Sequence, residues 1–285
     1  MNKNCVCTIA STNFLSRAMS TLLSMKKYKE DVDFYILNVP ATGQKNASGQ
    51  LNGIKVLDKN FIEECELINL NNNYYNDNAR WATKPFLIKK LLKKYDKVIY
   101  VDPDVYFVSD WNFLLEDIDG LLLTRHWRPA SASYKNFSIN FTHGFFNAGF
   151  IGASKKSLDA INWWADCCYW KCEESPGIGL YVDQRYLDFI HLNFDNVKVC
   201  KHKGCNLASW NDIELRKTFL EDKVIVTDSD DNVFESVFFH FSHLNGNQCV
   251  LKYYKEYIQL ANKFSESIEN LMANKFSESI ENLMI

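Results

Sequence analysis

Asp102 and Asp104, separated by Pro103, are the residues of this 285-residue chain whose spacing most clearly indicates chemistry. They follow Lys97-Val98-Ile99-Tyr100-Val101, an apolar run typical of a strand buried on both faces. Residues two apart in an extended segment share a face, so the two carboxylates start about 6.6 Å apart along the backbone. Like charges this close repel unless a proton or a cation lies between them. The pair predicts a divalent-metal site, and an ordinary polar turn is the alternative.

His240, between Phe239 and Phe241, is a candidate third ligand. An imidazole beside two carboxylates favours Mn²⁺ over Mg²⁺ or Ca²⁺, because nitrogen donors suit transition metals, and Mg²⁺ is the second choice. His243 lies three residues later and is a rival ligand. A histidine that simply packs in an aromatic strand is the structural alternative.

Two polar segments between these ligands carry residues suited to a sugar. In Asn147-Ala148-Gly149 the small residues let the backbone approach a ligand, and the Asn147 amide can donate and accept at hydroxyl groups. Asp183 and Gln184 begin a predicted helix, where they could instead interact with the helix N-terminus. A glycine-containing turn is the alternative explanation for the first segment.

The elements that must position these residues alternate between strand and helix. Strands are predicted at residues 5–10, 33–39, 54–57, 97–101, 150–152, 224–226 and 237–241. Helices are predicted at 17–28, 158–169, 183–190 and from Thr83, with Thr83 as a cap and Pro85 in the first turn. This order predicts a parallel sheet flanked by helices, with ligands at the carboxyl ends of the strands. Residues 125–145 lack a clear period, which predicts a functional loop.

The C-terminal residues 261–272 and 273–284 carry the same sequence, ANKFSESIENLM. Each copy places Phe, Ile and Leu at helical spacing. Twelve residues rotate the apolar face of a helix by about 120°, so one groove cannot hold both copies along a straight helix. We therefore expect one domain over residues 1–250 and a helical tail over 251–285, whose second copy is a duplication that is frayed or engaged elsewhere.

Composition narrows the classes of function. The net charge of −3 lacks the basic excess of a nucleic-acid binder, so no nucleic-acid partner is expected. The N-terminus lacks the apolar run of a signal peptide, which predicts a cytoplasmic protein with reduced thiols at its nine cysteines. Cys200, His202 and Cys205 lack the second cysteine pair of a structural zinc site.

The run VIYVDPDVYF around Asp102 and Asp104 resembles the Asp-x-Asp motif of GT-A-fold glycosyltransferases. The order of the later motifs is similar to that of glycosyltransferase family 8, which includes glycogenin and bacterial lipopolysaccharide hexosyltransferases, over about residues 5 to 246. The resemblance implies an α/β GT-A fold, with a mixed, mainly parallel sheet flanked by helices. It also implies that Asp102, Asp104 and His240 bind the Mn²⁺ (or Mg²⁺) that holds the donor diphosphate.

By the same resemblance, Asn147 and Gly149 contact the donor sugar. Gln184 lies on the reacting face beside the anomeric carbon, and Asp183 binds sugar hydroxyls. Asn206-Leu207-Ala208-Ser209-Trp210-Asn211 resembles an Asn-x-x-x-Trp-Asn stretch near the acceptor, although a buried tryptophan explains it equally well.

The nucleotide and diphosphate contacts depart from the family pattern. The segment with Ala10, Ser11 and Asn13 falls where the family binds the nucleotide, but Phe14 replaces a usual tyrosine. The family's C-terminal diphosphate lysine is missing, since no lysine follows His243 until Lys252. Arg80 or Lys84 is the expected substitute.

The resemblance implies transfer of a hexose from a UDP-sugar donor to a hydroxyl of a surface glycan or glycolipid, with retention of configuration. The tail could contact a membrane surface peripherally, although its Lys and Glu are nearly balanced. Two alternatives remain: a degenerate nucleotide-sugar-binding protein without catalysis, and a sugar nucleotidyltransferase. The second usually has a glycine-rich phosphate loop, where this chain has Ser11-Thr12-Asn13.

Overall fold

The computed structural model describes residues 3–62, 77–129, 134–242, 244 and 246–272. Strands and helices alternate along most of this chain. In order they are β1 (Asn4–Ala10), α1 (Leu15–Lys26), β2 (Asp33–Asn38), β3 (Gly49–Leu51), β4 (Ile54–Asp58), α2 (Asp77–Leu92), β5 (Lys97–Val101), β6 (Val105–Phe107), α3 (Asn112–Asp117), β7 (Leu121–Arg125), α4 (Tyr134–His143), β8 (Phe146–Ser154), α5 (Leu158–Trp170), β9 (Glu174–Ser175), β10 (Leu180–Tyr181), α6 (Tyr186–Asn193), β11 (Val197–Val199), β12 (Arg216–Leu220), β13 (Lys223–Thr227), β14 (Val233–Glu235), β15 (Phe238–His240) and α7 (Gln248–Asn262).

Eight of the strands form one sheet, in the order β11-β7-β8-β5-β1-β2-β4-β3. The pairs β1–β2, β1–β5, β2–β4 and β7–β11 are parallel, whereas β8 runs antiparallel to β5 and β7, and β3 to β4. The predicted mixed, mainly parallel sheet flanked by helices is confirmed. Its parallel centre brings the carboxyl ends of β1 and β5 to one edge, where Ala10 and Val101 end their strands.

Alternate residues of β1 enter two different cores. Cys5, Cys7 and Ile9 belong to the core beneath α2, α5 and α6, whereas Val6 and Ala10 belong to the core beneath α1 and α3. Both faces of the strand are therefore covered, which explains why its sequence is almost uniformly apolar rather than alternating.

The helix that precedes β5 begins at Asp77, so the prediction that Thr83 caps it is wrong. Thr83 lies inside α2, where its hydroxyl donates to the carbonyl of Ala79 at 2.5 Å, and Pro85 is also interior. Ala79, Ala82, Thr83 and Phe86 are all buried at helical spacing. The apolar face thus continues upstream of the expected cap, and tertiary packing decides where the helix starts.

Two further boundaries differ from expectation. The predicted loop at 125–145 contains α4, a helix whose aromatic residues Phe137 and Phe141 face solvent, so the usual inside–outside pattern is absent. The helix predicted over 183–190 begins at Tyr186. Asp183 and Gln184 therefore lie in the turn before α6 and do not cap it.

The C-terminal segment packs on the α1 side of the sheet. α7 contacts α1, and Phe264 and Ile268 of the first twelve-residue copy are buried in the core beneath α1. The second copy, at 273–284, lies outside the described residues. Within the described ranges, no helix combines the length and the apolar character needed to cross a membrane.

Candidate functional site

A cavity of about 700 Å³ opens where the carboxyl ends of β1 and β5 meet. Ten of the residues singled out from the sequence line it: Ala10, Ser11, Arg80, Lys84, Asp102, Asp104, Asn147, Asp183, Gln184 and His240. Two do not belong to the lining. Asn13 is exposed in a short 3₁₀ turn after β1, and Gly149 lies behind His240.

Asp102, Asp104 and His240 each present a ligand atom within 4.8 Å of the others, the one such three-residue cluster in the described part of the chain. Asp104 directly precedes β6, which pairs antiparallel with β15 so that His240 lies opposite Val105. This register brings His240 Nε2 to 3.3 Å from Asp104 Oδ1. Strand pairing between distant parts of the chain thus assembles the cluster.

The turn between the two aspartates is held from several directions. The carbonyl of Pro103 accepts hydrogen bonds from Tyr257 Oη at 2.7 Å and from Thr21 Oγ1 at 2.8 Å. The backbone amide of Asp102 donates to the carbonyl of Gly149 at 2.9 Å. Tyr257, Thr21 and Gly149 each belong to a packed helix or strand. Their bonds therefore fix the spacing of the two carboxylates without a ligand.

Lys84 ties two carboxylates together beneath the cavity floor. Its buried ammonium lies 3.1 Å from Asp102 Oδ1, 3.2 Å from Asp183 Oδ2 and 3.4 Å from the carbonyl of Ala148. Burial disfavours the charged amine, but Asp102 and Asp183 outweigh it and raise the pKa of Lys84. Tyr100 Oη also donates to Asp102 Oδ1 at 2.7 Å. The oxygen atoms that contact this ammonium in the structure thus belong to two carboxylates and one backbone carbonyl.

The acids of the site differ in proton affinity. Burial raises the pKa of Asp183 to about 6, and Lys84 offsets only part of this effect. Burial acts the same way on Asp104, yet the neighbouring His240 holds its pKa below the ordinary value. Conversely, burial lowers the pKa of His240 but Asp104 outweighs this and raises it. Asp104 and His240 are therefore arranged to share a positive charge, which a proton or a metal cation can supply.

Asn206 orients the imidazole of His240. Asn206 Nδ2 donates to the carbonyl of Arg125 at 3.0 Å, which leaves Oδ1 to face His240 Nδ1 at 3.2 Å. Because a carbonyl oxygen only accepts, Nδ1 carries the hydrogen, and Nε2 is directed at Asp104. An outer partner on one nitrogen of a histidine is a regular feature of metal ligands.

Gly149 makes room for this imidazole. A Cβ atom at position 149 would lie 2.4 Å from Cε1 of His240 and 2.7 Å from Oδ1 of Asn147. The sequence predicts contact of this glycine with the donor sugar, and in the structure the glycine packs against two other site residues, His240 and Asn147. Its small size serves the packing of His240.

Gln184 is fixed by three hydrogen bonds. Its Oε1 accepts from Asn147 Nδ2 at 3.1 Å and from the amide of Ala148 at 3.2 Å, and its Nε2 donates to the carbonyl of His143 at 2.8 Å. Val182, two residues before Gln184, has φ of 45°, a conformation rare for a β-branched residue. Strained backbone of this kind clusters at functional sites.

Several lining residues were not singled out as site residues from the sequence. They are Phe14, Trp81, Tyr100, His126, Arg128, His143, Glu174, Tyr181 and Trp210, among others. Two carried a signal: Tyr100 shares a strand face with Asp102, and Trp210, in the Asn-x-x-x-Trp-Asn stretch, meets His240 edge-on at 5.1 Å between ring centroids. His243, the rival ligand, lies outside the described residues.

The chain is similar in sequence to two proteins of Bacillus subtilis (strain 168). It is 25% identical to the uncharacterized protein YfnF over 249 residues, which are 83% of this chain and 80% of the relative. It is 28% identical to the uncharacterized protein YfnD over 246 residues, 82% of this chain and 76% of the relative. No protein-family model matches the chain.

Solved structures of glycosyltransferases share its fold. The galactosyltransferase LgtC, in complex with donor and acceptor sugar analogues, matches with a TM-score of 0.60 at 15% identity, over 92% of this chain and 96% of LgtC. GlyE of Streptococcus pneumoniae TIGR4 matches at 0.53 and 16%, over 94% and 64%. The bifunctional glycosyltransferase WbbM matches at 0.56 and 13%, over 95% and 52%. The chain therefore has the GT-A glycosyltransferase fold.

Proposed function

We propose that this protein is a metal-dependent glycosyltransferase that moves a hexose from a UDP-sugar to a hydroxyl of a surface glycan or glycolipid. The observation that carries the proposal is the Asp102–Asp104–His240 cluster, which lines the cavity at the carboxyl edge of the sheet. LgtC, which has the same fold, was solved with donor and acceptor sugar analogues, so such a fold accommodates both substrates.

The donor set fits Mn²⁺. Two carboxylates and one imidazole within 4.8 Å of one another offer the mixed oxygen and nitrogen ligands that a first-row transition metal prefers. Asp102, Asp104 and His240 would hold the cation, which when bound offsets the negative charge of the departing nucleoside diphosphate. Lys84 forms ion pairs with Asp102 and Asp183 and holds their carboxylates close together. The ligand atoms of Asp104 and His240 are not part of these ion pairs.

Arg80 is our candidate for the diphosphate contact. It lines the cavity, and burial lowers the pKa of its guanidinium, which nevertheless stays charged at neutral pH. A planar guanidinium binds phosphate oxygens bidentately, so it can replace a lysine in this role. Ala10 and Ser11, at the end of β1, would bind the nucleotide.

Gln184 and Asp183 are our candidates for the reacting face. Asp183 would accept hydrogen bonds from sugar hydroxyls, and the amide of Gln184, held by its three bonds, would face the anomeric carbon with retention of configuration. An inverting reaction needs instead a carboxylate base on the acceptor side, and Glu174 lines the cavity. Product stereochemistry followed by NMR distinguishes the two, and inversion would remove the role assigned to Gln184.

Calorimetry with UDP, with and without Mn²⁺, tests the proposal. We expect UDP binding that requires Mn²⁺ and is lost in Asp104→Ala, whereas Asp159→Ala, an exposed substitution on α5, should bind like the wild type. Absence of UDP binding in both conditions would contradict the proposal. Release of UDP from UDP-hexoses without acceptor then separates an active enzyme from a protein that only binds nucleotide sugars.

Contact of the tail with a membrane surface is a separate proposal. It is tested by co-sedimentation of the protein with liposomes before and after deletion of residues 273–285. Unchanged co-sedimentation would exclude this role for the second copy.

A further inference from the structure

We propose that a second cavity of about 720 Å³, next to the first, binds an anionic glycan, meaning a saccharide that carries carboxylate or phosphate groups. The cavity lies between the end of β7, the start of β8, α6 and the segment after β11. The inference rests on the proposed function, because a glycosyltransferase handles saccharides, and it adds the chemical class of glycan that the protein holds.

The two cavities share a wall. From the last residue of β7 onward, Arg125 and Trp127 line the second cavity, whereas His126 and Arg128 line the first. At the start of β8 the same division recurs, with Phe146 on one side and Asn147 on the other. A saccharide in the second cavity would therefore be separated from the proposed site of transfer by a single backbone segment.

The second cavity has an excess of positive charge. Arg125 and Lys201 are exposed in its lining, and among the described residues no carboxylate forms an ion pair with either. Lys203 is paired with Asp228 at 2.9 Å, and Arg185 with Asp188. A local excess in a chain of net charge −3 indicates an anionic ligand.

Flat apolar surfaces line the rest of the cavity. Phe145 and Phe189 are 47% and 54% exposed, and Leu192 is 80% exposed. The Trp127 ring has Arg125 5.6 Å and Lys203 5.8 Å from its centroid. The C–H faces of a sugar ring pack on such surfaces, as apolar groups generally do on aromatic rings.

The combination of these features selects the ligand class. A neutral apolar ligand would leave the charges of Arg125 and Lys201 without a counter-charge. A small inorganic anion would leave the exposed rings of Phe145 and Phe189 uncovered. An anionic saccharide uses both, and a cavity of this size is within the usual range of about 300–1,000 Å³ for small-molecule sites.

Calorimetry with the full chain tests the inference with three probes: a hyaluronan tetrasaccharide, maltotetraose carrying a phosphate, and neutral maltotetraose. We expect at least one acidic probe to bind about tenfold more tightly than the neutral one, and to weaken as salt increases. Which acidic probe binds identifies carboxylate or phosphate as the recognised group. Equal binding of acidic and neutral probes, or no binding, would overturn the inference.

Substitutions locate the site. Arg125→Gln/Lys201→Gln should weaken binding of the acidic probe about tenfold, and Phe189→Ala should weaken it several-fold. Lys27→Gln/Lys263→Gln removes the same charge from exposed positions elsewhere and should leave binding unchanged. Unaltered binding in both cavity variants would overturn the assignment.

The two proposals fail separately. Binding of the acidic probe should persist in Asp104→Ala and in the presence of UDP and Mn²⁺, because it uses the second cavity. Loss of UDP binding with intact glycan binding would contradict only the proposed transfer. Displacement of the probe by UDP and Mn²⁺ would place it in the first cavity and overturn only the present inference.

Discussion

His240 Nδ1 faces Asn206 Oδ1 at 3.2 Å, and Asn206 itself has a left-handed backbone, with φ of 61°. Asparagine adopts this conformation more readily than most residues. The left-handed backbone of Asn206 and the hydrogen bond of its side chain occur together in one conformation. In this conformation Nε2 of His240 points toward Asp104. Asn206 is a positioning residue for the proposed metal site.

Replacing Asn206 by glycine should weaken Mn²⁺ binding. Asn206→Gly tolerates the left-handed backbone but removes the acceptor for His240 Nδ1, and loss of such a partner typically costs about 10- to 100-fold in metal affinity. Calorimetric titration of Mn²⁺ in the presence of UDP measures the change. Asn206→Asp keeps an acceptor oxygen and should retain more of the affinity. Equal losses in both variants would argue against an orienting role.

Adding one methyl group at Gly149 should damage both stability and metal binding. In Gly149→Ala the new Cβ would lie 2.4 Å from His240 Cε1, so the ring must move. We expect a loss of about 1–3 kcal/mol in the free energy of unfolding, measured with urea, and weaker Mn²⁺ binding.

Two comparisons sharpen this prediction. In a His240→Ala background the same substitution should cost less, because the closest contact has been removed. Gly177→Ala, where nothing lies within 4 Å, should change the unfolding free energy by less than about 0.5 kcal/mol. An additive result for positions 149 and 240 would show that the two residues do not constrain each other.

Asp183 should make stability depend on pH in the acid range. Burial raises its pKa from 3.8 to about 6, so its contribution is present below pH 4 and is lost as the pH rises through about 6. Asp183→Asn has no such titration. From pH 4 to about pH 7 the unfolding free energy of the wild type should therefore fall by about 2–3 kcal/mol more than that of the variant. Denaturant unfolding in a chelating buffer measures both, and parallel profiles would contradict the prediction.

The duplicated tail provides its own matched control. Phe264 is buried in the core beneath α1, so Phe264→Ala should cost about 3 kcal/mol of unfolding free energy. Phe276 occupies the same position in the second copy, whose apolar face is rotated by about 120° along a continuous helix. We expect Phe276→Ala to cost less than about 0.5 kcal/mol. Equal costs would show that both copies are docked with similar strength.

Local signals in the sequence were sufficient for the centre of the fold. The apolar run that ends at Val101 is a strand in the structure, and the period-2 rule places Tyr100 and Asp102 on one face, where they form a hydrogen bond. Helix α2 was predicted, but its predicted start at Thr83 lies six residues after the observed start at Asp77. Its start depends on burial of Ala79 and Ala82 by other elements, which a capping signal does not report.

Long-range strand pairing, which local sequence patterns do not report, explains how the predicted ligands meet. His240 reaches Asp104 through the pairing of β6 with β15, and no local pattern states that register. Lys84 was one of two expected diphosphate contacts, with Arg80, and in the structure its acceptors lie on Asp102, Ala148 and Asp183, three separate parts of the chain. The residue types of Asp104, His240 and Lys84 indicated a charged site. The ion pairs and hydrogen bonds that each side chain forms could be identified only from their positions in the structure.

The close approach of His240 to position 149 couples the residues that evolution can accept at these two positions. The closest contact that a side chain at position 149 would make is with the imidazole of His240, 2.4 Å from the added Cβ. A descendant that no longer used the proposed cation site could replace His240, and the closest of these contacts would then disappear, whereas the contact with Asn147 would remain. Among diverging relatives, paired change at these two positions would mark the lineages that no longer keep the proposed metal site.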